Sequence, residues 1–133
     1  MSESLSETNK ALVLEAFDAA FNRKDPDALE RYWAADYIQH SAHIGPGRAG
    51  LQAIIDAAPR EMRYENQLIV AHGEYVMLHG RFSNIGVPVN WVVVDIVRVA
   101  DGRLAEHLDV IQDEATEAQS KSGMPMFGER FPA

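Results

Sequence analysis

The segment WVVVDIVRVADGRLAEHLDVIQ, residues 91–112, carries Asp95, His107 and Asp109 among residues that otherwise suit a buried strand. Aspartate is disfavoured in strands, and a carboxylate buried without partners is costly, so charges in these positions need a reason. An imidazole beside two carboxylates is equipped for acid/base work, one group accepting a proton while another holds or returns one. The chain of 133 residues has no cysteine, which removes disulfides, thiolate nucleophiles and cysteine metal sites and leaves oxygen and imidazole groups to do any chemistry.

The turn between the two strands decides how these groups meet. A three-residue loop, Ala100 to Gly102, pairs Val99 with Arg103, sets Asp95 opposite His107 and sets Val93 opposite Asp109. A two-residue Asp101-Gly102 turn shifts the register by one and splits Asp95 from His107. The three-residue loop is preferred because it gives the isolated charges partners. Asp95, His107 and Asp109 then share a face with Trp91, Val93 and Val97. On the preceding strand His79 and Arg81 share a face with Tyr75 and Met77, while Val76, Leu78, Gly80 and Phe82 share the other. A sheet curled around the helices would turn the His79 and Arg81 face toward the same cavity, to position a substrate. His40, ending the segment DYIQH, is expected at the rim, and Tyr37 and Trp91 in the core or the pocket wall. His43 and His72 sit beside loop residues and are expected to be exposed, and Glu106 falls on the opposite face from His107, at the surface. Structural roles compete with these: a cross-strand Asp95–His107 pair, a solvated His79 and Arg81, a loop His40.

These residues need elements to hold them. Val13, Ala16, Phe17, Ala20 and Phe21 recur at helical spacing behind a possible capping box, Ser4 to Glu7. Asp25-Pro26 suits the start of a short helix bearing Leu29, Tyr32 and Trp33. Residues 36–44 read as extended into the Gly45-Pro46-Gly47 loop, and a third helix runs from Arg48 to Ala58, ended by Pro59. The period then changes: residues 64–72, 75–84, 88–100 and 103–112 read as four strands. Helices followed by a consecutive antiparallel sheet make an α+β layout with the helices on one face of a curved sheet. No linker or repeat divides the chain, so one domain spans 1–133, with 113–133 as a C-terminal tail. The apolar tip of that tail, Met124-Pro125-Met126-Phe127, suggests docking over the domain's own mouth or onto a second subunit, against the alternative of a frayed end.

Twenty acidic against 12 basic residues give a formal charge of −8, which argues against nucleic acid and anionic membrane surfaces as partners. No window is long and apolar enough to span a membrane, and Met1-Ser2-Glu3-Ser4 lacks the marks of a signal peptide, so a cytoplasmic location is expected. The glycines match neither phosphate-binding nor dinucleotide fingerprints. His79, His107 and Asp95 show no compact metal-ligand spacing, and no metal is expected.

Taken together, the opening helix ending in AFNRKD, the segment DYIQHSAHIGPGRAGL and the segment VDIVRVADGRLAEHLDVIQ resemble the SnoaL-like polyketide cyclases, within the NTF2-like superfamily. The resemblance covers nearly the whole chain. It implies a cone-shaped α+β barrel, three N-terminal helices packed in a curved, mostly antiparallel sheet, with a pocket inside. It implies homodimers through the outer sheet face, which here carries Val92, Val94, Ile96, Leu108 and Val110. It also implies aldol cyclisation without cofactor or metal, with Asp109 of EHLD as the acid/base group. Leu108 and Ser41-Ala42 replace a Trp and an Asn-Pro common in the family, changes that touch the pocket or its rim. The expected function is proton abstraction beside the carbonyl of a small hydrophobic compound, of cyclase or isomerase type. In it Asp109 is the base and His107, oriented by Asp95, the donor. A non-catalytic ligand-binding or dimerisation domain, or dehydratase or epoxide hydrolase-type chemistry, fits the same pattern.

Overall fold

The computed structural model describes residues 2–132. Helix α1, Ser2–Phe17, passes directly into a π-helical turn, Asp18–Asn22, and is followed by α2, Ala28–Tyr32, strand β1, Trp33–Gln39, and α3, Gly47–Ala57. Four strands complete the chain: β2, Arg63–His72, β3, Tyr75–Ser83, β4, Trp91–Ala100, and β5, Arg103–Asp113. The first helix begins at Ser2, so the Ser4 to Glu7 pattern lies inside it and not at its start. Trp33 opens β1 instead of closing the short helix, because the chain turns extended there, at ψ 144°. No helix among the described residues is long and apolar enough to cross a membrane.

The sheet order is β1-β5-β4-β3-β2, with β1 parallel to β5 and every other pair antiparallel. Its concave face closes on the helices. Val13, Phe17 and Phe21 from the first helical stretch, and Leu51 and Ile55 from α3, meet Trp33, Tyr64, Val76, Leu78, Val97 and Leu104 from the strands in one core. Two close approaches hold this shape. Gly50 lies against the backbone of Gly45, where a Cβ would collide with main-chain atoms, and this ties the β1–α3 loop to the start of its helix. Gly80 leaves room for the Tyr64 ring on the neighbouring strand.

The β4–β5 hairpin departs from the expected register. Asp101 and Gly102 both have positive φ, 51° and 71°, and Ala100 pairs with Arg103. This is a two-residue turn whose twist matches the strands, the chemistry that Asp-Gly favours. By itself it would split Asp95 from His107. The register then shifts between Arg98 and Val99, Ala105 standing unpaired as a β-bulge, so that Val97 pairs with His107 and Asp95 with Asp109. The extra residue restores the parity: Asp95, His107 and Asp109 share the concave face, with the two aspartates directly opposite and the histidine one pair along.

The tail lies neither over the mouth nor loose. Glu114, fully buried, takes both arms of the Arg81 guanidinium at 2.8 and 2.5 Å, and the chain returns so that Phe127 stacks under the same Arg81, 4.4 Å from its ring centre. Gly128 N–H donates to Gln67 Oε1 at 3.0 Å. The apolar tip therefore docks on the convex face of its own sheet, and Val92 is buried on that face.

Candidate active site

A cavity of about 240 Å³ lies inside the cone, walled by apolar and aromatic side chains such as Phe17, Phe21, Trp33, Phe82 and Trp91. At the liquid share of ~30 Å³ per water, that is space for about eight waters, or a compact ring compound. Its polar groups come from two places. Strands β4 and β5 contribute Asp95, His107 and Asp109, and β1 with its following loop contributes Tyr37, Gln39, Ser41 and His43.

Asp95 is 3% exposed, and its Oδ1 lies 2.6 Å from His107 Nε2. Its other oxygen, Oδ2, is buried with no hydrogen-bond partner among the described residues. Burial pushes the Asp95 carboxyl above its ordinary range, the nearby Asp109 adds to the push, and His107 opposes it. Asp109 Oδ2 stands 4.0 Å from the same Nε2. The other ring nitrogen, Nδ1, meets Gln39 Oε1 at 2.7 Å. That oxygen already accepts the backbone N–H of Ser41 at 3.0 Å, while Gln39 Nε2 donates to the Tyr37 hydroxyl at 2.8 Å. The amide is thus fixed with its oxygen toward the imidazole, so Nδ1 must carry a proton and donate it. Nε2 and Asp95 are left to share the next proton between them. Burial likewise raises the Tyr37 phenol, which stays neutral.

Asp95, His107 and Asp109 offer ligand atoms within 4.8 Å of one another and are the group among the described residues that could hold a metal ion. An ion there would have to replace the short Nε2–Oδ1 hydrogen bond.

The other expected site residues divide by strand parity. Tyr37 and Trp91 line the cavity. His79 and Arg81 do not, which corrects the expectation. In β3 it is Leu78 that pairs with Asp95 and Gly80 with Val93, so the histidine and arginine project from the convex face. There Arg81 binds Glu114 and His79 faces the Phe127 ring, with centres 6.0 Å apart. His40 is also outside. Gln39 points inward, so His40 points outward and meets Glu106 at 2.7 Å, beside Arg98. Arg98 first and His40 second hold the Glu106 carboxyl below its usual range. Conversely His43, exposed as expected, belongs to the cavity mouth, its ring 5.7 Å from that of Trp91. Gln39 was not singled out from the sequence. Its signal was position: it has the same parity as Tyr37 on a strand that turns Tyr37 inward.

The model of the SnoaL-like domain matches residues 13–107. Among solved structures, AclR of Streptomyces galilaeus, described as a candidate hydroxylase, is 28% identical over 78% of each chain with a TM-score of 0.63. IdmH of Streptomyces antibioticus, described as a candidate polyketide cyclase, is 22% identical, covers 86% of this chain and 96% of its own, and has a TM-score of 0.64. A Kribbella flavida protein described as a candidate ketosteroid isomerase is 18% identical over 96% and 93%, with a TM-score of 0.71. No curated protein matches. At these identities the last two establish the fold, which is the NTF2-like α+β cone that the family resemblance implied. With its family model spanning most of the chain and the cone complete, the chain belongs to the SnoaL-like domain family.

Proposed function

We propose that this protein is a cofactor-independent acid/base enzyme that acts on a small hydrophobic carbonyl compound held in the cone. The observation that carries the reading is the Asp95–His107 pair, hydrogen-bonded at 2.6 Å, beside a second carboxylate on an otherwise apolar wall. Asp109 takes a proton from the carbon next to the carbonyl, and the C–H electron pair moves onto the carbonyl oxygen. His107 Nε2 stands 4.0 Å from Asp109 Oδ2, so a proton held between it and Asp95 is the nearby donor for that oxyanion as charge develops. Return of the proton from Asp109 to another carbon is isomerisation. Attack of the enolate carbon on a second carbonyl closes a ring. Tyr37 and Trp91 shape the wall, and Gln39 keeps the imidazole in its working tautomer.

Chemistry of this kind can be followed without the natural substrate. In D2O the enzyme should exchange the α-protons of a neutral cyclic ketone such as 2-tetralone, read by proton NMR. Asp109→Asn should slow that exchange by roughly 10²–10⁴-fold while melting close to the wild type. Full exchange activity in that variant would refute the assignment. The protein also pairs, on this reading, as a homodimer through the convex face, where Val94, Leu108 and Val110 are exposed beside the docked tail.

A further inference from the structure

The electrostatics of the cavity constrain its ligand further than the apolar walls do. The imidazole holds its Nδ1 proton toward Gln39, the short Nε2–Asp95 contact has room for one further shared proton, and two carboxylates stand beside the ring. The group carries one net negative charge with that proton and two without it. Among the described residues no lysine or arginine lines the cavity, because the nearby cation on the sheet, Arg81, faces the other way and is committed to Glu114. Among the described residues Asp109 accepts no hydrogen bond, and His107 Nε2 stands 4.0 Å from its Oδ2. The buried Oδ2 of Asp95 is also without a partner. A buried carboxylate lacking donors is relieved by a cation or an N–H or O–H donor and is made worse by another anion. The surrounding rings, Phe17, Phe21, Trp33 and Trp91, present π faces that favour a positive head.

We propose that the cavity ranks its ligands by charge, with a protonated amine bound most tightly, an uncharged molecule of the same skeleton next and a carboxylate or phosphate excluded, and that Asp109 sets this order. The substrate class is thereby limited to apolar compounds whose buried end is basic or uncharged. This concerns binding alone, so it is measured without turnover and can fail while the catalytic reading stands, or stand while that reading fails.

The test uses three compounds of one skeleton: 4-phenylbutylamine, 4-phenylbutanol and 4-phenylbutyrate. Both tryptophans of the chain, Trp33 and Trp91, line the cavity, so quenching of their emission reports binding. At about pH 8 and low salt the amine should bind tightest and the acid roughly 30-fold or more weakly, as expected for an added charge near a carboxylate at intermediate dielectric. Asp109→Asn should shrink the amine-to-acid ratio to about threefold or less. Wild-type protein that binds the acid as tightly as the amine overturns the proposal, whatever the variant does. So does a charge order that survives unchanged in a folded Asp109→Asn protein.

Discussion

Replacing Asp95 by asparagine should make the protein more stable, by an amount that grows as pH rises above the ordinary carboxylate range. The carboxylate is 3% exposed, and Oδ2 has no donor among the described residues. A buried acceptor left unsatisfied costs about 1–3 kcal/mol, more when it is charged. Asparagine has the same shape. Its amide nitrogen can take the place of Oδ1 and donate to His107 Nε2, which Gln39 has left as an acceptor by holding the proton on Nδ1. What is lost is the extra strength of a charge-assisted bond over a neutral one, about 1 kcal/mol. The amide oxygen then stands where Oδ2 stood, still without a donor among the described residues but uncharged, and relief of the buried charge favours the variant by about 1 kcal/mol, or ~3–5 °C in a domain of this size. The pH dependence follows from the raised Asp95 carboxyl. The folded state holds that proton more tightly than the unfolded chain, whose value is about 3.9. Wild-type stability is therefore fullest below the unfolded value and falls as pH rises through the folded one. Asparagine has no such proton, so the advantage should be absent at and below that unfolded value and should grow as pH is raised above it into the alkaline range. Thermal melts of both proteins across that range decide the matter. A variant that melts below the wild type at the alkaline end, or by a constant offset at every pH, would show that the buried pair is a net source of stability and that the reasoning is wrong.

Gln39→Leu removes the acceptor of both the Ser41 N–H and the His107 Nδ1–H, and the donor to Tyr37. It should cost about 1–3 kcal/mol, and nitrogen NMR of the ring should show the His107 tautomer no longer held at Nδ1, whereas an unchanged tautomer would remove Gln39 from its positioning role. Arg81→Ala strands a fully buried Glu114 carboxylate and should lower stability by about 3–5 kcal/mol, measured by urea unfolding, while exchange of 2-tetralone α-protons by the fraction still folded stays near wild type. Arg81→Ala that abolished this exchange in folded protein would return Arg81 to the site.

Strand edges and face parity were largely readable because buried strands carry their periodicity in plain side chains. Asp95, His107 and Asp109 came to one face even though the turn was assigned the wrong length, since the turn and the bulge together advance the register by an even number. The error over His79 and Arg81 had a readable remedy. Val76, Leu78, Gly80 and Phe82 are the apolar alternate set of β3, and ordinary alternation puts them inside. Charged residues on the other set were attractive as substrate ligands, but they serve the tail. That docking was not legible, because Phe127 finds Arg81 only after the sheet has formed, and nothing local to either residue specifies the other. Gln39 was hidden by being uncharged. Its role comes from three partners, of which two, Tyr37 and Ser41, are close in sequence and the third, His107, lies 68 residues away.

The unpaired Ala105 also bears on how a chain of this kind can drift. Insertions and deletions in a hairpin are usually counted as harmless changes of loop length, yet here one chain length allows two registers and the bulge selects between them. Drawing Ala105 into the ladder would set His107 opposite Ile96 and Asp109 opposite Val94, turning both outward and bringing Leu108 and Val110 in with no change in composition, whereas deleting Ala105 would keep the present pairs. A one-residue slip of this hairpin is therefore enough to dissolve the shared face of Asp95, His107 and Asp109 while the cone stays.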